Sequence, residues 1–578
     1  MKETPPMTER PWLTAYAQDV DWHQRFEAKP LYALLDATAA ARPDRPHLYF
    51  KGRRYRYRDT KALSDRFAKG LQELGVGRGT KVGLFLPNCP QFVVAYYGAL
   101  KAGATVVNYS PLYSVPELLH QVEDSETDLI VTLDVTQLFP TIHHVFTESR
   151  LQRLIVSSLR DVLPPLKGLG YSLTQGSQIA ALPNDDSWLG WRRLLDNDGA
   201  YADPGLDPHE DVAVLQYTGG TTGTPKGAML THANLSINAQ QTLAWDPTIR
   251  PGEEVMLGAL PLFHVFAMTL VMNATTFGGG EIVLMPKFEL DEALDLVTRR
   301  RVTQMPGVPT MFNAILNHAK LDKYDLSSLK ACFSGGAPLP REVKRRFEER
   351  VPGSVVNEGY GLTESSPTAS ANPIIGENRS GSIGLPMPGT DIVITDPDDP
   401  RVERSVGETG EICIRGPQVM KGYFKQPEAS DKVLVDGLLR TGDIGYMDAQ
   451  GYTYLIDRNK DLILVGGFNV YPRTVEEAVY SHPAVQECTV IGIPHDHLGE
   501  APKAFVVLKE DHSLEDERLL SYLRERLGKH ELPREIEFRD SLPKTMVGKL
   551  SKKELVEEER AKYEARVTAS AKREGQRA

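Results

Sequence analysis

Apolar and polar positions alternate in two rhythms along the first part of the chain, from about Leu31 to Leu133. Short apolar runs such as TKVGLFLP and ATVVNYS have the length and composition of buried strands. Longer stretches between them, such as PQFVVAYYGALKAG, carry apolar residues at helical spacing. Strands that alternate with helices in this way predict βαβ units, so we expect a largely parallel sheet with helices on its faces.

The pattern changes at three later points. A stretch rich in Gly, Pro, Ser and Leu, from about Leu163 to Asp186, predicts an excursion over the surface. Short strand patterns alternate with turns from Gly381 to Asp457, which predicts a β-rich subdomain. Helix and strand patterns then alternate up to about Arg560, before a dense mix of Lys, Arg and Glu that favours a solvated, fraying helix.

These patterns predict an α/β fold class with more than one domain. A large N-terminal domain (1–457) of parallel and mixed sheets with flanking helices is expected to include the β-rich subdomain (about 381–457). A small α+β C-terminal domain (458–560) and a charged tail (561–578) should follow. The length of 578 residues agrees with this division, because a single hydrophobic core seldom grows so large.

Composition and charge exclude some classes of protein. With 41% hydrophobic and 25% charged residues, the chain has the make-up of a globular protein. Its formal net charge is −11, which argues against nucleic acid as a partner, since sequence-independent binding to phosphates needs a basic surface. Four cysteines lie far apart without a CxxC pair, so free thiols in a reducing compartment are expected.

Two segments bear on localisation. The N-terminal MKETPPMTERPWL has no apolar signal-peptide run, which predicts a cytoplasmic protein. From Val255 to Gly280 no charged residue occurs, and this stretch is long enough to span a bilayer. Its Pro261, His264 and Asn273 favour a strand, a turn and a buried helix instead. A peripheral contact with the inner face of the membrane and a homodimer both stay open.

The richest candidate for chemistry is TGGTTGTPKG, from Thr218 to Gly227. Glycines let backbone N–H groups form an anion-binding concavity, threonine hydroxyls add donors or metal-ligating oxygens, and Lys226 adds a charge. These features predict a phosphate loop, with a flexible solvent loop as the alternative. A P-loop of the Walker type is disfavoured, because Gly227 stands where that motif needs Ser or Thr. We expect the loop between the strand DVAVLQYT and a helix capped by Thr231.

Seven segments in one order resemble the adenylate-forming superfamily, which includes acyl-CoA synthetases, luciferases and amino-acid adenylation domains. They are YTGGTTGTPKG, LPLFHVF, SGGAPLP, EGYGLTE, RTGDIGYMD, DRNKDLILVGGFNVYP and PKTMVGKLSK. Within the superfamily, GSIGLPMPG, GPQVMKGY and ILVGGFNVYP are most similar to bacterial long-chain fatty acid–CoA ligases. The resemblance implies two steps: a carboxylate attacks the α-phosphorus of ATP to give an acyl-adenylate and pyrophosphate, and the thiol of coenzyme A then displaces AMP.

The resemblance also implies roles for nucleotide-binding residues. The loop, with Lys226, would bind the β- and γ-phosphates, and Thr218 and Glu364 would hold Mg²⁺. Two further segments would frame adenine, with Tyr360 as a stacking face, and Asp443 and Arg458 would contact the ribose. The ATP- and AMP-binding residues implied are Thr218, Gly219, Gly220, Thr221, Thr222, Gly223, Thr224, Gly335, Gly336, Ala337, Glu358, Gly359, Tyr360, Gly361, Thr363, Asp443 and Arg458.

The C-terminal part would serve both steps by rotating. Lys549 matches the lysine that reaches the substrate carboxylate and the α-phosphate during adenylation, and it must leave before coenzyme A enters. Lys460 matches the hinge position of relatives. Gly466 and Gly467 match the stretch that approaches the pantetheine arm, where a side chain would obstruct it.

The acyl group would bind beside His264. A lone histidine among apolar residues is more often a satisfied core residue, but in relatives this position lines the acyl site. No acidic residue occurs between Glu254 and Glu281, where amino-acid-activating relatives usually carry one. The surrounding segments VFAMTLVMNATTF and PGVPTMFNAIL are apolar and Met-rich, which suits a hydrocarbon chain. Met268 stands where some long-chain relatives have a gating Trp.

A medium- or long-chain fatty acid–CoA ligase is therefore the predicted function. The alternatives within the superfamily are an aryl-CoA ligase, a luciferase-like oxidase and a ligase that loads a carrier protein. A silent acyl-binding protein is disfavoured, because the matched charged residues are all present, namely Lys226, Glu364, Asp443, Arg458 and Lys549.

Overall fold

The structure is a computed structural model that describes residues 10–218, 225–458, 461–466, 468–495, 498–545 and 548–575. Within these residues the strands form four sheets. Two are mostly parallel and belong to the first two-thirds of the chain, a third is antiparallel, and the last is built from the C-terminal part.

The N-terminal sheet is parallel except at one edge. Its strands, in order across the sheet, are β7 (Trp188–Gly190), β6 (Arg153–Ser157), β5 (Leu129–Leu133), β3 (Lys81–Leu84), β4 (Thr105–Asn108), β8 (Val212–Tyr217) and β9 (Gly227–Thr231). At the edge β9 runs antiparallel to β8, with Tyr217 opposite Gly227.

The central sheet is parallel through its middle and antiparallel at both edges. Its strands, in order, are β16 (Leu385–Pro386), β15 (Thr368–Ala371), β14 (Val355–Gly361), β13 (Ala331–Ser334), β12 (Gln304–Gly307), β10 (Val255–Gly258), β11 (Glu281–Leu284), β1 (Pro46–Phe50) and β2 (Arg53–Arg56). Ligands of open α/β sheets bind at the carboxyl ends of parallel strands, so the turns after β10, β12 and β13 mark the edge to examine.

Two smaller sheets follow. The antiparallel sheet consists of β17 (Asp391–Thr395), β18 (Gly410–Arg415), β20 (Leu438–Met447) and β19 (Leu434–Val435), with β21 (Thr453–Arg458) paired to β20. The C-terminal sheet consists of β23 (Phe468–Val470), β22 (Ile463–Val465), β25 (Gly499–Leu508) and β24 (Val485–His495), with β26 (Glu535–Phe538) paired to β25.

The helices cover the sheets. The α-helices are α1 (Ala33–Ala41), α2 (Tyr57–Glu73), α3 (Pro90–Lys101), α4 (Val115–Ser125), α5 (Phe139–Glu148), α6 (Pro165–Thr174), α7 (Trp191–Leu194), α8 (His232–Trp245), α9 (Thr275–Gly278), α10 (Leu290–Arg300), α11 (Pro309–Leu316), α12 (Arg341–Arg350), α13 (Pro427–Val433), α14 (Pro472–Tyr480), α15 (Asp516–Arg524) and α16 (Lys553–Gly575). A π-helix spans Ala267–Ala274, and 3₁₀ turns span Pro11–Thr14, Leu159–Asp161, Gly176–Gln178, Leu321–Lys323 and Thr363–Ser365.

One apolar core joins the two mostly parallel sheets. It contains residues of both, such as Val106 of β4 and Leu257 of β10, and α3 is buried at all 12 of its positions. The C-terminal sheet has a core of its own, in which Val490 of β24 packs with Val475 of α14 and Leu519 of α15. The predicted α/β fold class, with a large sheet-containing part and a smaller α+β part, is confirmed.

The predicted βαβ rhythm is also confirmed. The runs interpreted as strands form β3, β4 and β5, and α3 and α4 separate them. The uncharged stretch from Val255 forms a strand, a turn and a buried helix, although the helix is of the π type. Among the described residues, no helix is both long and apolar enough to cross a membrane. All four cysteines are described, buried and unpaired: Cys89, Cys332, Cys413 and Cys488.

Two boundaries differ from the expected positions. The antiparallel sheet begins at Asp391 instead of Gly381, because β16 pairs with β15 and so belongs to the central sheet. Helix α16 runs through residue 560 without a break, because Leu555 is buried and Glu559 binds Lys503 of β25 at 3.0 Å. Part of the charged tail therefore packs against the C-terminal sheet.

Candidate active site

The glycine-threonine loop leaves β8 and returns into β9. Its central residues, Gly219–Thr224, lie outside the described residues. At its base the Thr218 N–H donates to the Lys226 carbonyl at 3.0 Å. The expected position between a strand and a helix is wrong in one respect: β9 intervenes before α8, because GAMLT pairs as an antiparallel strand with β8. Thr231 caps α8 as predicted, accepting from the Asn234 N–H at 3.1 Å.

A short strap, residues 419–424, lies beside the base of this loop. Its Gly422 carbonyl accepts from the Met229 N–H at 2.8 Å, and its Phe424 N–H donates to the Gly227 carbonyl at 2.8 Å. The Met420 N–H donates to the Glu364 carbonyl, also at 2.8 Å. The strap thus joins β9 to the 3₁₀ turn that carries Glu364.

Tyr423 of the strap stands between two predicted site residues. Its hydroxyl donates to Glu364 Oε1 at 2.6 Å, and Lys226 Nζ lies 5.0 Å from the centre of its ring. Burial, followed by the nearby Glu364 carboxylate, raises the pKa of the Tyr423 phenol. Sequence reasoning assigned no role to Tyr423, although the segment GPQVMKGY that ends with it was among the family-like segments.

The two segments expected around adenine lie side by side at the carboxyl edge of the central sheet. Gly335, Gly336 and Ala337 follow β13, and Glu358–Gly361 form the end of β14. The close packing explains two glycines. A Cβ on Gly361 would stand 1.6 Å from the Pro367 carbonyl oxygen, and one on Gly335 would stand 3.1 Å from the Phe266 ring.

A second phenol–carboxylate pair connects the adenine segment to the ribose residue. The Tyr360 hydroxyl donates to Asp443 Oδ2 at 2.6 Å, and Asp443 is almost completely buried. Asp443 of β20 lies opposite Arg458 of β21 in the backbone register. The structure therefore brings Tyr360, Asp443 and the backbone of Arg458 to one place.

Glu358 is a buried residue that holds the turn after β13 in place. Its Oε1 accepts from the Leu339 N–H at 3.1 Å, and Arg473 Nη2 lies 3.9 Å away. Burial raises the pKa of the Glu358 carboxyl to about 7, and the Arg473 guanidinium opposes that shift. The carboxylate holds the turn that contains Gly336, which is a positioning role for this predicted nucleotide-binding residue.

Lys549 reaches this turn from the C-terminal part. Gly336 has a φ of +79°, and a Cβ on it would stand 2.3 Å from Lys549 Cε and 2.5 Å from Nζ. Two contacts with α11 hold the C-terminal part there. Thr310 Oγ1 donates to the Gly548 carbonyl at 2.7 Å, and Asn313 Nδ2 donates to the Gln486 carbonyl at 2.6 Å.

His264 lies close enough to Lys549 to be affected by its charge. Burial and, to a smaller extent, the Lys549 ammonium lower the pKa of the His264 imidazole to about 3. Nδ1 accepts from the Phe266 N–H at 3.3 Å, which leaves Nε2 as the protonated nitrogen of a neutral ring. Lys549 thus lies against Gly336 and is close enough to His264 for its charge to act on the imidazole.

A narrow, mostly apolar cavity lies between α8, the π-helix and the central sheet. The π-helix begins at Ala267, just after His264, and all of its residues are buried. The cavity is lined by Leu243, Met256, Leu270, Ala274, Thr275 and Phe333, among others. Met268 faces another neighbour, since Asn108 Nδ2 donates to its sulfur at 3.3 Å.

The second segment predicted to line the acyl site does not border this cavity. Residues 306–316, PGVPTMFNAIL, are fully described and contribute none of the residues that line this cavity. Thr310 and Asn313 of this segment contact the C-terminal part instead. Leu243 and Phe333 line the cavity, although they are far from His264 in sequence and nothing local distinguishes them from ordinary core residues.

The predicted hinge and coenzyme A residues are only partly described. Lys460 and Gly467 lie outside the described residues. Gly466 has a φ of +58°, and its N–H donates to the Leu498 carbonyl at 2.8 Å within the C-terminal part. For the predicted metal site, no group of three or more His, Cys, Asp or Glu side chains occurs within the described ranges.

The site lies where a lysine of the small C-terminal part reaches a glycine-rich turn of the large α/β part. This arrangement is typical of a class of two-domain enzymes. The family model for the AMP-binding enzyme matches residues 35–424, and the model for the AMP-binding enzyme C-terminal domain matches residues 474–549. The chain belongs to the AMP-binding enzyme family, and the resemblance to adenylate-forming enzymes is confirmed.

Individual relatives match along nearly the whole chain. A long-chain-fatty-acid–CoA ligase of Bacillus subtilis (strain 168) is 43% identical over 96% of this chain and 98% of that protein. The protein of the same name from Escherichia coli O157:H7 is 39% identical over 96% of this chain and 99% of its own length. The crystal structure of ATP-bound MatB from Rhodopseudomonas palustris has a TM-score of 0.80 and 29% identity, covering 91% of this chain and 98% of that one.

Proposed function

We propose that this enzyme activates medium- or long-chain fatty acids with ATP and forms acyl-CoA through an acyl-adenylate. The observation that carries the proposal is the contact of Lys549 with Gly336, with His264 within range of the Lys549 charge. The family resemblance assigns to that point the substrate carboxylate and the α-phosphate. The full-length relatives named as long-chain-fatty-acid–CoA ligases support a hydrocarbon substrate.

In the first step a carboxylate oxygen forms a bond to the α-phosphorus, and the bond to pyrophosphate breaks. Both reactants are anions, so the enzyme must supply positive charge and hydrogen-bond donors at fixed positions. Lys226 of the large part and Lys549 of the C-terminal part would supply the charge. Neutral His264 adds no charge of its own, since burial keeps the pKa of its imidazole far below the physiological range.

Two carboxylates that phenols fix in place would bind the nucleotide and its metal ion. Asp443 would accept the ribose hydroxyls, and the Tyr360 hydroxyl keeps its carboxylate oriented. Glu364 and Thr218 would hold Mg²⁺. Their carboxylate and hydroxyl oxygens are of the hard type that this ion prefers, and two protein ligands suit an ion that takes its other oxygens from phosphates and water. When bound, the ion would neutralise charge on the phosphates.

In the second step the sulfur of coenzyme A forms a bond to the acyl carbon, AMP leaves, and the thiol proton is released. Lys549 occupies the approach in the arrangement described above, so the C-terminal part must move first. We propose Lys460 as the hinge and Gly466–Gly467 as the stretch beside the pantetheine arm. The contacts of Thr310 and Asn313 with the C-terminal part would then break.

The proposed function is tested by measuring AMP release and acyl-CoA formation with saturated acids from acetate to stearate, and with benzoate and coumarate. Activity that depends on coenzyme A and is highest with medium or long chains supports the proposal. Activity with the aromatic acids alone would show that the substrate is an aryl acid and not a fatty acid. Adenylate without thioester would indicate a ligase for a carrier protein or a luciferase-like enzyme.

A further inference from the structure

Helix α6 exposes three leucines to solvent. The exposed fractions are 86% for Leu166, 62% for Leu169 and 77% for Leu173. The spacing i, i+3, i+7 places the three side chains on one stripe of the helix. A stripe of this kind normally faces the core of a protein, so its outward position needs another explanation.

The opposite face of α6 packs against the rest of the protein, and the residue buried there is a glycine. Gly168 is buried, and a Cβ on it would stand 3.0 Å from the Arg160 carbonyl oxygen. Lys167 is exposed on the flank of the helix, between the glycine face and the leucine stripe, and its Nζ donates to the Lys51 carbonyl at 3.0 Å in the turn between β1 and β2. The small residue inside and the large apolar residues outside give α6 an apolar outer surface.

The charges around α6 favour an anionic partner. From Val162 to Asn184 the sequence has one charged residue, Lys167, in a chain whose net charge is −11. The carboxylate that precedes the helix, Asp161, binds Arg192 at 2.7 Å, and Arg53 donates to its carbonyl at 2.8 Å. The one charge on α6 itself is therefore positive, and the carboxylate that precedes the helix is already paired.

The area of the exposed face of α6 distinguishes a bilayer from a second copy of the chain as the binding partner. A ten-residue helix is about 15 Å long and about 10 Å wide, so its outward face covers on the order of 150 Å². A stable protein interface buries about 800 Å² on each partner. A second copy of the chain would need much more surface than α6 offers, whereas a bilayer can take up a few apolar side chains on a short helix.

We propose that α6 docks the enzyme on the surface of a phospholipid bilayer. The three leucines enter the boundary between head groups and acyl chains, and Lys167 lies level with anionic head groups. The choice of a lipid partner rests on the proposed function, because long-chain fatty acids partition into bilayers and a docked enzyme would find its substrate there. The interaction is reversible, since three side chains and one cation give a weak anchor.

The first test is flotation of the full-length protein with vesicles of phosphatidylcholine and phosphatidylglycerol, without ATP, coenzyme A or fatty acid. We expect the unaltered protein to float with the vesicles. The triple variant L166S/L169S/L173S should lose about tenfold in the bound fraction. A control variant, L74S/L112S/V402S, removes exposed apolar side chains elsewhere and should keep the original binding. Equal flotation of both triple variants would overturn the proposal, as would an unaltered protein that does not float.

The second test locates the contact. The native cysteines are buried, so Leu169→Cys provides a single accessible thiol for an environment-sensitive fluorophore. Addition of vesicles should shift the emission to shorter wavelength, and Lys167→Glu should reduce binding to phosphatidylglycerol vesicles more than to phosphatidylcholine alone. An unchanged emission would contradict docking through α6. If the unaltered protein were a dimer and the L166S/L169S/L173S variant a monomer with unchanged flotation, the three leucines would bind a second copy of the chain and not the bilayer.

The two proposals can fail separately. Flotation is measured without substrates, so an enzyme with a different acid specificity would still float if α6 docks on lipid. Conversely, octanoate, which dissolves in water, should be activated equally well by the unaltered protein and the L166S/L169S/L173S variant. This activity also shows that the variant is folded.

Discussion

The two sides of the candidate active site are held in different ways. On the large-domain side, short hydrogen bonds from Tyr360 and Tyr423 fix the carboxylates of Asp443 and Glu364. On the C-terminal side, Lys549 reaches Gly336 across an interface held by side-chain hydrogen bonds from α11 and by contacts of Arg473 with Glu358 and the Leu455 carbonyl. The difference suits a reaction in which the nucleotide site must stay in place while the lysine arrives and leaves.

The largest expected effect is on the moving side. Lys549→Ala removes the cation that meets Gly336, and adenylation should fall by about 10²- to 10³-fold. Thioester formation from supplied acyl-adenylate should be largely retained, because that step takes place after the lysine has left. Lys553→Ala, on the exposed side of α16, is the matched control. Equal losses in both half-reactions would show that the lysine does not act in one step alone.

Gly336→Ala should have the next largest effect. The new methyl would displace Lys549 by occupying the place of its Cε, and adenylation should fall by about 10- to 100-fold. Gly353→Ala is the control, because Gly353 also has a positive φ but no atom within 4 Å of its built Cβ. In a double-mutant cycle, G336A should add little to K549A. If the losses from G336A and K549A were additive, G336A would act by distorting the backbone of the turn and not by displacing Lys549.

Tyr423→Phe tests the fixed side. The variant keeps the ring beside Lys226 but loses the hydrogen bond to Glu364, so the Mg²⁺ concentration needed for half-maximal ATP binding should rise about tenfold. Binding can be measured by fluorescence with a labelled nucleotide, independently of turnover. Tyr324→Phe, which removes a remote phenol–carboxylate bond at Asp291, is the control. If Tyr423→Phe left the Mg²⁺ dependence of ATP binding unchanged, Tyr423 would not position the Glu364 carboxylate for the metal ion.

The smallest effect concerns the pH dependence of stability. Burial raises the pKa of the Glu358 carboxyl from 4.5 to about 7, so the folded state keeps a proton that the unfolded state has lost in this window. The stabilisation is complete below about pH 4.5 and is lost as the pH rises through about 7. Glu358→Gln should remove about 1 to 3 kcal/mol of this dependence.

Thermal midpoints of the Glu358→Gln variant and the unaltered protein, compared between pH 5 and pH 8, measure that effect. Their difference should change with pH, and Glu349→Gln on the exposed side of α12 should show no such change. A constant difference for Glu358→Gln would mean that the carboxyl titrates normally. Arg473 would then compensate fully for the burial.

Much of the architecture could be predicted because it depends on local patterns. The alternation of strands with α3 and α4 follows from the spacing of apolar residues, and Thr231 caps α8 through a bond to a residue three positions on. The order of the seven family-like segments identified the family before any contact was known. Errors arose where pairing overrode pattern, as when β9 paired with β8 before the chain entered α8.

The sequence by itself determined the fold class, the family and the candidate residues Lys226, Glu364, Asp443 and Lys549. The tertiary structure alone decided that Tyr423 connects Lys226 to Glu364, that Lys549 lies against Gly336, and that the leucines of α6 face outward. The physical reason is that these facts depend on contacts between segments far apart in the chain, or on which face of a helix is covered. Neither is encoded in the spacing of neighbouring residues.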